Sequence, residues 1–156
     1  MPDFDSWEAL CAAVDNSVKD ILLNDVAPVA EEILRKHIEK DIYGAYSPRN
    51  GGFFAGRMFD TPYSRRHVLE GGIKSEMESK DSMMVTSYAD ANQSLIPGYH
   101  FASSYPGAFL QLLESGNMGC WKKGFARPAV ANTQKEIDSS PKIERAIKNG
   151  IKRVFS

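Results

Sequence analysis

Trp7, Leu10, Val14, Val18, Ile21, Leu22, Val26, Val29, Ile33 and Ile38 recur at three- and four-residue steps, with polar residues between them. This spacing lays one apolar stripe along an α-helix and commits the first forty residues to a helix that must be covered by something. Asp5 or Ser6, followed by Glu8, supplies an N-terminal cap. Pro28 cuts into the stripe, because proline removes a backbone donor and its ring collides with the preceding turn. An unbroken helix over residues 6–41 would be about 54 Å long at 1.5 Å per residue, longer than a domain of this size is wide. "LLNDVAP" therefore marks a kink or a break that sets residues 1–25 apart as a separate N-terminal helix; failing either, the helix projects.

Residues 44–62, "GAYSPRNGGFFAGRMFDTP", have no helical period, and glycine and proline punctuate them as a long loop arm. Tyr46, Phe53, Phe54, Met58 and Phe59 give this arm too much apolar surface for a solvated linker. Either the aromatics fold back on the core, or a partner covers them. Residues 63–73 read as a short helical turn or the entry to a strand. Two alternating runs follow, 73–79 and 83–89, and a Lys80–Asp81 turn between them makes an antiparallel hairpin. Another Pro/Gly/Tyr-rich loop leads to "AFLQLLESG", too short a run to decide between helix and buried strand. From Phe125 onward the pattern gives two helices. The second starts after Ser140-Pro141, repeats Ile143, Ala146, Ile147, Ile151 and Val154, and ends in basic residues that suit a helix C-terminus.

Together these predict a single α+β domain over residues 1–156. A long N-terminal helix, kinked or broken near Pro28, and C-terminal helices pack on a small, mainly antiparallel β-sheet, with a loop arm at 44–62. The chain is long enough to bury roughly two thirds of its unfolded surface. It has no secretory signal pattern and no run of eighteen apolar residues, so a soluble cytoplasmic product is expected.

Charge is unevenly placed. Residues 1–41 carry ten acids against four bases, −6, while the whole chain carries −1, which leaves +5 on the remainder. This is either an acidic solvated helix face or a molecule with oppositely charged ends suited to head-to-tail stacking. Nucleic-acid binding has little support, since the bases are dispersed, no stacking motif accompanies them and the pI is 6.3.

Chemistry is sparse. His37, His67 and His100 share no metal-ligand spacing, and Cys11 and Cys120 form neither a disulfide framework nor a metal pair. The glycine pairs match neither the P-loop nor the dinucleotide fingerprint, and there is no GxSxG elbow. Cys120, beside Trp121, Lys122 and Lys123, has neighbours that favour a thiolate, yet no base is marked out for it. No cofactor and no metal are implied.

Several segments, taken in order, resemble the head–tail joining and tail-completion (minor tail) proteins of tailed bacteriophages and prophages. They are "YSRRHVLEGGIKSE" (63–76), "LESG" (113–116) and "GFARPAV" (124–130), then "QKEI" and a final helix. "AEEILRKHIEKDIYGAYSP" (30–48) is similar to prophage relatives from Gram-positive bacteria. The resemblance runs from about residue 26 to the end through short, degenerate motifs. Two departures stand out: Arg66-His67-Val68-Leu69 replaces a Thr-Gly-x-Leu element, and the segment before Pro28 is longer than the family's.

The resemblance implies a non-enzymatic structural protein of the virion, assembled in the host bacterial cytoplasm. It implies a homo-oligomeric ring, commonly a hexamer, between head connector or portal-side proteins and tail-tube proteins. Contact residues on this reading are Tyr46, Phe53, Phe54, Met58 and Phe59 of the arm, and Glu114, Trp121, Lys122, Lys123 and Arg127 of the second loop. Two alternatives come from other classes. One is a small cysteine-dependent hydrolase or toxin using Cys120 with His67 or His100. The other is a nucleic-acid-binding module acting through Lys122, Lys123 and the basic C-terminal helix.

Overall fold

The computed structural model describes residues 5–43, 68–88, 108–115 and 128–156. The fold is α+β, as the sequence pattern predicts: a long N-terminal helical rod, a two-stranded antiparallel sheet and C-terminal helices.

The rod is unbroken from Trp7 to Tyr43. Helix α1 (Trp7–Ile21) passes through a π-helical turn (Leu22–Val26) into α2 (Ala27–His37), and a second π-turn (Ile38–Tyr43) continues it. Ser6 caps α1, its hydroxyl accepting from the Ala9 amide at 3.1 Å. Pro28 does not end the rod, since α1 runs through the π-turn into α2. The turn before it widens so that the Ala27 amide reaches five residues back, to the Leu22 carbonyl. That widening shifts the backbone the proline ring would otherwise strike, and the irregularity expected at Pro28 takes the form of a π-bulge within a continuous rod. With no break, the rod projects instead. Among α1 residues only Ile21 is buried, and Trp7 is 73% exposed.

After the short α3 (Val68–Gly71), strands β1 (Ile73–Met77) and β2 (Met83–Ser87) pair with Ile73 opposite Ser87 and Met77 opposite Met83. Ile73, Ser75, Met77, Met83, Val85 and Ser87 share the inner face toward α2, while Lys74 and Glu76 point outward and are exposed. The strands are shorter than expected, and the connection is not a two-residue Lys80–Asp81 turn. It is a five-residue loop, 78–82, centred on Lys80. Lys-Asp does not favour the positive φ angles of a tight hairpin. Instead Ser79 and Ser82 cross-bond their hydroxyls at 2.7 Å, Ser79 donates to Asp81, and the Glu78 amide donates to the Ser82 carbonyl. The hairpin is tied to the helices by Ser75 donating to Glu31 of α2 at 2.7 Å and by buried Ser87 donating to the Leu69 carbonyl at 2.6 Å.

"AFLQLLES" resolves as helix α4 (Ala108–Ser115), followed by α5 (Ala129–Ser139) and α6 (Pro141–Phe155). Ser140 caps α6 and Pro141 occupies its first turn, as the sequence predicts. Two apolar clusters form the core. Leu34, Ile38, Ile42, Leu69, Leu110 and Ala129 make one; Ile21, Val26, Ala30, Ile33, Ile143 and Ala146 make the other, and Val85 packs against both. Gly150 lets α6 approach the rod closely, since a Cβ there would lie 2.7 Å from Ile21 Cγ2 and 2.8 Å from Asp25 Oδ2.

Candidate interaction surface

The densest polar cluster sits where the rod meets α5. His37, on the last turn of α2, is 6% exposed, and both its ring nitrogens face carboxylates: Nδ1 to Asp41 at 2.9 Å and Nε2 to Glu136 at 2.9 Å. Each carboxylate accepts where the facing ring nitrogen carries its proton, and the tautomer sets which nitrogen that is. Asn132 donates to the same Asp41 oxygen at 2.9 Å, and Lys36 reaches both Glu136 oxygens at 2.7 Å. Burial works to raise the Asp41 carboxyl, but hydrogen bonds from Asn132 and His37 outweigh it and hold the group below the usual range. The Lys36 hydrogen bond, then that of His37, holds Glu136 low as well. The cluster acts as a clamp, pinning the rod to α5.

A second polar contact joins two of the segments quoted in the sequence. Glu114, at the end of α4, accepts from the amides of Val130 at 2.9 Å and Ala131 at 3.1 Å, the first free donors of α5. The "LESG" and "FARPAV" segments thus meet, through a carboxylate set at a helix N-terminus. Of the ten contact residues expected from the sequence, Glu114 is the one within the described residues, and its carboxylate is engaged inside the subunit. Tyr46, Phe53, Phe54, Met58, Phe59, Trp121, Lys122, Lys123 and Arg127 lie outside them, as do Cys120, His67 and His100 of the hydrolase alternative.

The surface shows what the periodicity did not. Trp7 and Val14 on α1, with Cys11 between them, are exposed; so are Ile147, Ile151 and Phe155 on α6, at 39%, 46% and 65%. The sequence pattern places Trp7, Val14, Ile147 and Ile151 on apolar stripes, and the structure leaves these four exposed. The readable signal was the charge division. Asp5 lies just before α1 and Glu8 and Asp15 along it, while Lys142, Arg145, Lys148, Lys152 and Arg153 lie along α6 against one acid, Glu144.

Among the described residues no group of three or more His, Cys, Asp or Glu side chains could hold a metal ion, and no helix is long and apolar enough to cross a membrane. An open groove of about 490 Å³ runs between α1 and the hairpin, lined by Ala12, Asn16, Lys19 and Met77 among others. The Lys80–Asp15 ion pair, at 2.7 Å, joins its two sides.

Compared with known proteins, residues 6–153 match the family model described as YomN, a prophage family name. No curated protein and no solved structure matches the chain.

Proposed function

This chain belongs to the YomN family, of prophage derivation, and we propose that it is a structural assembly protein of a tailed phage or prophage. In this reading it joins head to tail or completes the tail, works without catalysing a reaction, and acts in the virion after assembly in the bacterial cytoplasm. It forms a homo-oligomeric ring, and its partners are connector or portal-side and tail-tube proteins.

The observation that carries the reading is the pair of uncovered apolar helix faces on oppositely charged parts of the chain. An apolar face bordered by charge is what a protein-covered surface looks like before it is covered. Two further observations support it. The segments behind the resemblance to head–tail joining proteins meet through Glu114, and the one described histidine is fully engaged as a clamp.

Native mass spectrometry and sedimentation over a concentration series test the reading, together with co-purification against the connector and tail-tube proteins of the same phage. A discrete oligomer that binds either partner is the expected result. A monomer at every concentration that binds neither overturns it.

A further inference from the structure

We propose that the free end of α1 in one copy packs antiparallel on the exposed stripe of α6 in the next copy. The inference rests on the assembly reading and names the surfaces that carry it.

The two stripes match in length. Trp7, Cys11 and Val14 stand at i, i+4 and i+7 on one side of α1; Ile147, Ile151 and Phe155 stand at i, i+4 and i+8 on α6. Each spans roughly 11 Å at 1.5 Å per residue. Their charged borders also match. Glu8 and Asp15 flank the α1 stripe, and Lys148 and Lys152 flank the α6 stripe on the same rotational side. Two helices packed face to face bring such borders together only when they run antiparallel. That direction also sets the acidic N-terminal end of α1 beside the basic C-terminal end of α6. Glu8 and Lys152 form no ion pair among the described residues, so each has a charge to offer.

The subunit's own α6 cannot take this role. Its C-terminal turn is held against the C-terminal end of α1, with Arg153 bonded to Asp20 and Asp25 and Gly150 against Ile21. Among the described residues, each copy presents one exposed α1 tip and one exposed α6 stripe. The contact is heterologous, and repeating it generates a ring or an open stack.

Cys11 supplies the experiment, in full-length chains carrying Cys120→Ser. One chain keeps Cys11; the other carries Cys11→Ser and Ile151→Cys. The two are mixed and mildly oxidised, with sedimentation run in parallel. A disulfide between copies, mapped to Cys11 and position 151, is the expected result. Glu8→Lys and Lys152→Glu should each weaken self-association by roughly fivefold, and the double exchange should restore it. Assembly without that disulfide and without rescue overturns the contact and leaves the assembly reading standing. Absence of any assembly, with no binding to connector or tail-tube proteins, overturns both.

Discussion

α2 buries Ala27, Ala30, Ile33, Leu34 and His37, whereas α1, carrying the same apolar period toward the N-terminus, buries only Ile21. The two helices are one rod with one stripe, and they differ in what lies over it. The hairpin, α5 and α6 pack on α2, while α6 meets α1 at Asp20 and Ile21 of its last turn. Periodicity states which side of a helix is apolar. It does not state whether the cover comes from the same chain.

The sharpest way to break this comparison is to remove equivalent apolar volume from each half. Leu34 is 1% exposed in the cluster shared with Leu69 and Leu110. Leu34→Ala should cost about 3 kcal/mol, from lost transfer energy plus the cavity left behind. Urea unfolding followed by circular dichroism measures it, and a cost below about 1 kcal/mol would mean that α2 is covered no better than α1.

His37→Leu attacks the covered half through its polar clamp. It leaves Asp41 and Glu136 facing an apolar side chain, with Asn132, Lys36 and Lys40 as their remaining partners, and should cost about 2 kcal/mol at neutral pH. The clamp also sets a pH dependence. Both carboxyls lie below their ordinary values of 3.8 and 4.5 in the folded chain. Their contribution is therefore complete above those values and is lost as pH falls through the lower folded ones. The urea midpoint should drop between about pH 5 and pH 3, and drop less steeply in His37→Leu. Equal slopes would show that His37 adds nothing to what Asn132 and Lys36 do in holding the carboxyls low.

Gly150→Ala tests the boundary between the halves, where α6 meets the end of α1. Alanine is the better helix former by about 1 kcal/mol, so an unconstrained site would gain stability. Here the new methyl would strike Ile21 and Asp25, and the expected outcome is a net loss of about 1–2 kcal/mol. A gain would mean that α6 and the rod separate at little cost, and that the C-terminal turn is free to move toward the α1 tip.

The same contrast explains what could be read from the sequence. Ser6, Ser140-Pro141 and the 73–87 alternation announced their elements because capping and pleating are local. The π-turn at Leu22–Val26 was hidden, since Pro28 signals only that the regular ladder must change. Gly150 was unreadable, because its need arises from Ile21 and Asp25 more than a hundred residues away. The clamp was equally out of reach. His37 and Asp41 are four residues apart, but Glu136 and Asn132 arrive on another helix. Glu114 drew notice as a motif residue. Its position at the N-terminus of α5 depends on a loop closure that no local pattern encodes.

The smallest expected effect on stability is the most informative about the bare half. Val14→Ser removes an apolar side chain from a face that α1 leaves 44% open, and Trp7 on the same face is open further. Substitutions at such sites usually change stability by less than about 0.5 kcal/mol, because little area is uncovered that folding had covered. Val14→Ser should therefore leave the urea midpoint of the dilute chain unchanged and lower self-association at high concentration. A loss near that of Leu34→Ala would mean that α1 is covered within its own subunit, and the stripe would then not be free for a second copy. With folding unaffected and association weakened, the apolar period beyond Ile21 is retained for contacts made after the subunit has folded.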